Sequence, residues 1–407
     1  MHTSCCFERY LLFRFIFLIG FLFSAYPTFA EVESVSIDTN PNQFLVLFPE
    51  LKTAPSPSWI TIGKRFTYYY QYAGRFNPNE DTPTSGNGYF QFDVVALTAR
   101  NSVASLKTYI NNGKGYLIST STTSSVQPLG LGEFWIAPSV LVHAENVANP
   151  NLAVVRMTKT IGNKVYRCVR FQSTLGDNSA EYVWMFQETT GKLIYYSSRR
   201  GNPTNPDHLW QASLVNERVL PLPWNGIRAP LWVTTITPWS LNYTGTQKIE
   251  YLSSYPSSPI YLGYRINLVR TRYQPIWSEY RITDDLYASL TGWVNQSSVD
   301  SVTGISQLSS PLWLPPEAFS AANRWGINKF VILDTDPITK TTVLGLHASN
   351  GDIMLREKGT ETQKGPIYQI NTYYRQSDGK LTKFARTDIM DLLTTFMMKT
   401  VNVILRE

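Results

Sequence analysis

Cysteine and histidine are scarce in this chain, at three and four residues out of 407. Cys5 and Cys6 precede an N-terminal apolar run, so only Cys168 belongs to the body of the chain. That rules out a disulfide-stapled scaffold. It also rules out the acylated cysteine of a bacterial lipoprotein, which would follow such a run. His143, His208 and His347 have no second His three or four residues on and no neighbouring Cys. A zinc site built on spaced His/Cys ligands therefore has no support. Charged residues make up only 16% of the chain, and Lys and Arg come singly apart from Arg199-Arg200. Without a basic run or a basic helix face, nucleic acid is not an expected partner. The P-loop, G-x-G-x-x-G, G-x-S-x-G and H-E-x-x-H patterns are all missing. No segment after residue 30 is apolar over the roughly 20 residues that a membrane helix needs.

The N-terminus reads as an export signal. Arg9 and Arg14 form a basic start, Phe15 to Ala25 an apolar centre, and Thr28-Phe29-Ala30 a small-residue cleavage site. Residues 1–30 are thus a signal peptide, and residues 31–42 an extended start. The mature chain keeps a charge of +5 and 46 of the 55 aromatic residues, with tyrosine outnumbering phenylalanine 22 to 13. Its single cysteine, Cys168, sits between Val and Phe in a strand-like run. It reads as a buried thiol, with an intermolecular disulfide as the alternative.

The body of the chain repeats itself. Trp59 is answered by Trp232, the stretch from Gly88 by that from Gly263, and Trp135 with Pro138 by Trp313 with Pro316. The hairpin glycine Gly191 is answered by Gly379, and Trp210–Leu220 by Phe396–Leu405. The offsets rise in order, through 173, 175, 178 and 188 residues. Two copies behave this way when one has gained loop insertions. The expected modules are 43–222 and 226–407, joined by the Pro-rich stretch 221–230.

Period-two alternation dominates both modules. Phe66, Tyr68, Tyr70 and Tyr72 share one strand face, as do Tyr368, Ile370, Thr372 and Tyr374. Such strands suit an antiparallel sheet with one dry and one wet side. In Tyr182–Gln187 both faces are apolar, so that strand should be covered twice. Gly191 and Gly379 stand where a hairpin needs positive φ. Pro138 and Pro316 suit the first turn of a short helix. The expected class is mainly β (α+β): two related modules, each a curved antiparallel sheet or half-barrel carrying one or two short helices.

Chemistry is harder to find. Asp334 and Asp336, two carboxylates at i and i+2, precede a turn at Pro337 and are the only metal-ligand candidates. Asp and Thr beside Pro are ordinary turn formers, and a lone pair of carboxylates holds Ca²⁺ poorly, because the ion takes about 6–8 oxygens. No catalytic residue, metal site or cofactor is assigned. Some aromatic rings should line a groove or cavity, with Tyr68, Tyr70, Trp184 and Tyr195 as candidates; solvent-facing tyrosine strands are the competing reading. Asn242-Tyr-Thr244 and Asn295-Gln-Ser297 are glycosylation acceptor patterns.

The segment Tyr182–Tyr196 (YVWMFQETTGKLIYY) writes an aromatic strand, a glycine hairpin and a second apolar strand. This texture, in exported modules of such length, is similar to the lipoprotein-carrier proteins of the LolA/LolB kind. The resemblance implies an apolar cavity and a carrier or sensor role. The tandem repeat and the missing lipid-attachment cysteine depart from that family's simple pattern. The leading expectation is an exported, non-enzymatic protein that binds a lipid-like, apolar or amphipathic ligand or an envelope component. The alternatives are a structural or adhesive surface protein that contacts proteins or glycans, and a hydrolase with an unrecognised acidic site.

Overall fold

The computed structural model describes residues 48–74, 84–97, 102–111, 116–126, 135–147, 149–174, 180–202, 205–221, 229–235, 238–251, 258–274, 277–288, 291–304, 312–362, 365–392 and 395–406. The signal segment 1–30, the extended start 31–42 and most of the join, 222–228, lie outside them. The protein is mainly β, with two large antiparallel sheets and a few short helices.

The first sheet holds β1 (Lys64–Gly74), β2 (Thr84–Leu97), β3 (Ser102–Asn111), β4 (Tyr116–Val126), β5 (Leu152–Ile161), β6 (Lys164–Thr174), β7 (Ala180–Gln187), β8 (Leu193–Asn202) and β9 (Asn205–Val219). Their order is β4-β3-β2-β1-β9-β8-β7-β6-β5. Helix α1 (Pro138–Leu141) follows β4.

The second sheet begins after α2 (Leu231–Thr234) with β10 (Ser240–Tyr251), β11 (Ile260–Gln274), β12 (Trp277–Ala288) and β13 (Gly292–Gly304). Helix α3 (Pro316–Ala322) intervenes, then β14 (Phe330–Thr335), β15 (Thr342–His347) and β16 (Ile353–Lys358). A two-stranded hairpin, β17 (Glu361–Thr362) and β18 (Gly365–Pro366), precedes β19 (Tyr368–Tyr374), β20 (Leu381–Leu392) and β21 (Thr395–Arg406). The order is β13-β12-β11-β10-β21-β20-β19-β16-β15-β14. With β14 set aside, this is the connectivity of the first sheet.

The paired sequence anchors occupy matching contacts. Trp135 bridges to Lys192, and Trp313 to Lys380. The Trp59 indole donates to the Thr190 carbonyl (2.8 Å), and Trp232 donates to that of Asp378 (2.9 Å). The Tyr68 hydroxyl donates to the Leu193 carbonyl (2.9 Å), and Tyr243 to that of Leu381 (2.8 Å). Pro138 and Pro316 open their helices, where a missing N–H costs nothing. Gly191 and Gly379 both have positive φ (70° and 68°). A Cβ there would stand 1.9 Å from the Ile136 carbonyl oxygen, or 2.3 Å from that of Leu314. Each hairpin is therefore pressed against the chain entering its helix, and only glycine fits the gap.

One face of each sheet carries the helix and the core. In the first, Val140, Leu141 and Ala144 join Phe66, Tyr68, Tyr70, Phe171, Trp184 and Phe186 in one buried cluster. In the second, Ala318, Phe319 and Ala322 join Tyr243, Leu355, Tyr374 and Val403. The opposite face of β1 and β2 departs from the alternation argument. Arg65, Thr67, Gln91 and Asp93 are polar, yet all four are buried, because the second sheet covers them.

Candidate functional site

The helix face of the first sheet carries a run of aromatic rings across five strands. Tyr68 stacks on Phe90 (5.1 Å between centroids, planes 15° apart), and Phe90 on Trp210 (5.7 Å, 11°). Tyr70 stacks on Tyr72, Phe90 and Trp210. Trp210 then meets Tyr196, Tyr196 meets Trp184, and Trp184 stacks on Tyr182. The floor is sealed, with Tyr68, Tyr70 and Trp184 at most 1% exposed. Phe90, Tyr72, Tyr196 and Trp210 are only half-buried. Gly86 and Gly88 make room for the flat rings: a Cβ would come within 2.5 Å of the Tyr72 hydroxyl or 2.7 Å of that of Tyr70. Among the described residues, the buried indole nitrogens of Trp184 and Trp210 have no hydrogen-bond partner. Burial pushes the Tyr70 and Tyr196 phenols up, so the wall carries no negative charge at neutral pH.

Of the four aromatic candidates, Tyr68, Tyr70 and Trp184 come together on this wall, but Tyr195 does not. It lies on the opposite face, where its hydroxyl donates to Gln211 (3.2 Å) and the Lys159 ammonium sits 3.9 Å from its ring centroid. The cause is local. Counting back from the Phe186↔Leu193 pair would set Trp184 opposite Tyr195. A bulge between Met185 and Phe186 shifts the register, so Trp184 faces Tyr196. Trp210 could have been found from its alternation with Ala212 and Leu214, which face the same way.

Asp334 and Asp336 hold the two sheets together. Arg218 makes a two-pronged contact with Asp334 (2.7 and 2.6 Å) and reaches Asp336 (3.0 Å). Arg65 forks onto Asp93 (2.6 and 2.7 Å) and also donates to Asp336 (3.1 Å), as does Gln91 (3.1 Å). The other Asp336 oxygen accepts the backbone N–H groups of Ile338 and Thr339 (3.0 and 2.9 Å). Burial alone would raise this carboxyl's pKa. The charges of Arg65 and Arg218 and the Thr339 N–H overcome that and hold it well below the usual carboxylate range. A second buried pair, Lys107 with Glu357 (3.1 Å), crosses between the sheets nearby, and Tyr368 donates to Glu357 (3.1 Å). Arg65 and Asp336 are 271 positions apart, and no sequence pattern signals such a contact.

The second sheet buries a further charged group. Asp388 and Lys399 are cross-strand partners, and Arg386 donates to Asp388 (2.8 Å). Burial pushes the Lys399 ammonium down to about 8, against the attraction of Asp388. The remaining chemistry-bearing residues stand apart. Cys168 is buried, and burial pushes its thiol up to about 11. His143 is exposed beside Glu50 (2.7 Å), His208 is half-buried and His347 is buried. Among the described residues, no three His, Cys, Asp or Glu side chains cluster as metal ligands, and no helix is long and apolar enough to cross a membrane.

No protein-family model matches the chain, and no curated protein matches its sequence. Solved structures resemble it along most of its length. MucB in complex with MucA(peri) aligns over 90% of this chain and 94% of that one, at 8% identity and a TM-score of 0.23. The Pseudomonas aeruginosa MucA/MucB complex gives the same coverage at 9% identity and a TM-score of 0.21. Transferrin binding protein B from Haemophilus parasuis aligns over 87% of this chain and 79% of that one, at 7% identity and a TM-score of 0.17. At scores this low the alignments carry no argument about function.

Proposed function

We propose that this chain is an exported, non-enzymatic binding protein built from two copies of one module. The ligand is an apolar or amphipathic molecule lying on the aromatic wall of the first sheet. One observation carries the reading: a continuous run of aromatic rings whose sealed floor supports half-buried members. A ligand with an apolar body would cover those half-buried rings. The neutral wall favours an uncharged body, with any charged end reaching solvent.

Purification without detergent, followed by organic extraction and mass spectrometry, tests this directly. A lipid recovered in stoichiometric amount supports the proposal. So does uptake of the fluorescent fatty acid cis-parinaric acid, weakened about tenfold by Trp210→Ala. A clean protein that takes up no parinaric acid overturns it.

A further inference from the structure

We infer that the outer face of β11–β13 is a second binding site, a platform for a neutral saccharide. Three aromatic residues are exposed there together: Tyr261 (64%), Tyr287 (45%) and Trp293 (42%). Cross-strand register explains the cluster. Gly263 pairs with Tyr287, which pairs with Trp293, so one row of three strands carries a glycine and two rings. Tyr287 and Trp293 meet edge to face at 5.4 Å, with their planes 65° apart. The indole reaches back over Gly263, where a Cβ would stand 3.0 Å from that of Tyr287 and 3.5 Å from the Trp293 ring. The bare glycine thus lets the rings settle onto the sheet.

The next row supplies planar polar groups. Arg265 pairs with Asp285, and Asp285 with Asn295. Asp285 is buried beneath them and organises the rest. It accepts from Arg265 Nε (2.5 Å), Asn267 Nδ2 (3.3 Å) and Asn295 Nδ2 (3.1 Å). The guanidinium carbon of Arg265 lies 4.5 Å from the Trp293 ring centroid, so the arginine is fixed from two sides. Among the described residues, neither Nη group of Arg265 nor Oδ1 of Asn267 has a hydrogen-bond partner. Fixed donors and an acceptor beside exposed rings match the chemistry of a sugar. Its C–H faces lie on aromatic planes, and its neighbouring hydroxyls each donate and accept.

Other occupants fit less well. Arg265 is neutralised by Asp285, which removes the field that would draw a phosphate or an acidic chain. Three rings that offer about 150–250 Å² each, roughly half of it exposed, present far less than the about 800 Å² that a standard protein interface takes from each partner. A lipid chain would leave the fixed polar groups unmatched.

The experiment is calorimetric titration of the purified chain with maltohexaose, cellohexaose and chitohexaose. At least one should bind with a Kd below about 10 mM, with a change in tryptophan emission. Trp293→Ala and, separately, Tyr261→Ala should weaken that binding about tenfold or more while leaving the melting temperature in place. Ile332→Ala, an exposed apolar side chain elsewhere in the same sheet, should change nothing. Failure of all three sugars to bind, or binding that survives Trp293→Ala, overturns the assignment. These outcomes are independent of lipid uptake on the first sheet.

Discussion

Replacing Asp336 tests whether the two sheets are held together by buried charge. The carboxylate is 1% exposed and takes five hydrogen bonds, three from Arg65, Gln91 and Arg218 on the first sheet and two from its own turn. Asp336→Ala removes all five. Arg65 keeps Asp93 and Arg218 keeps Asp334, so neither guanidinium is left without a counter-ion. The cost should lie at the low end for breaking a buried pair, about 3 kcal/mol. Asp336→Asn separates the two halves of the contact. Its amide oxygen can still cap Ile338 and Thr339, but its NH₂ then faces three donors, so about 2 kcal/mol should still be lost. Urea unfolding followed by far-ultraviolet circular dichroism measures both variants. A double-mutant cycle with Arg65→Met should return a coupling of about 1–3 kcal/mol. Acid adds a check of sign. The folded pKa of Asp336 is depressed, so its contribution is complete above the ordinary carboxylate value of about 3.9 and fades as pH falls toward the folded one. The gap between wild type and Asp336→Ala should therefore stay constant at neutral pH and narrow only in strong acid. A loss under about 1 kcal/mol for Asp336→Ala, or a coupling near zero, would refute the reasoning.

Further predictions concern the paired anchors and the buried lysine. Gly191→Ala and Gly379→Ala each force a Cβ onto a backbone carbonyl at positive φ, and should each lower stability by about 2–3 kcal/mol in thermal melts; a neutral result at either site would mean the hairpin is not pressed against the helix entry. Trp135→Ala and Trp313→Ala empty equivalent buried positions and should cost about 3–5 kcal/mol each; unchanged urea midpoints would contradict that. Lys399 drops its proton in the folded state before it does in the unfolded one. Between about pH 8 and 10.5 the stability of wild type relative to Lys399→Met should therefore rise, by roughly 3 kcal/mol in all. Equilibrium unfolding of both proteins across the pH range measures it, and a constant difference would contradict the assignment.

Much of the architecture could be read from the residues alone. Alternation placed Phe66, Tyr68 and Tyr70 on one face because a strand sends successive side chains to opposite sides, whatever lies beyond it. The Trp-x-x-Pro starts at Pro138 and Pro316 and the glycine hairpins at Gly191 and Gly379 were equally legible, because a missing N–H and a positive φ are properties of the residue itself. Strand register was less so. The bulge at Met185/Phe186 exchanged Tyr195 for Tyr196 on the aromatic wall, a shift of one position that no local pattern announces. Burial of the polar faces was not legible at all. By alternation the face of β1 opposite Phe66 and Tyr68 is the wet one, yet the second sheet covers Arg65 there, and Asp334 with Asp336 read as a turn or a weak ion site until Arg65 and Arg218 occupy them. Local geometry follows from each residue's own backbone and side chain. Which charges meet depends on how two separately formed sheets dock, and only the tertiary structure decides that.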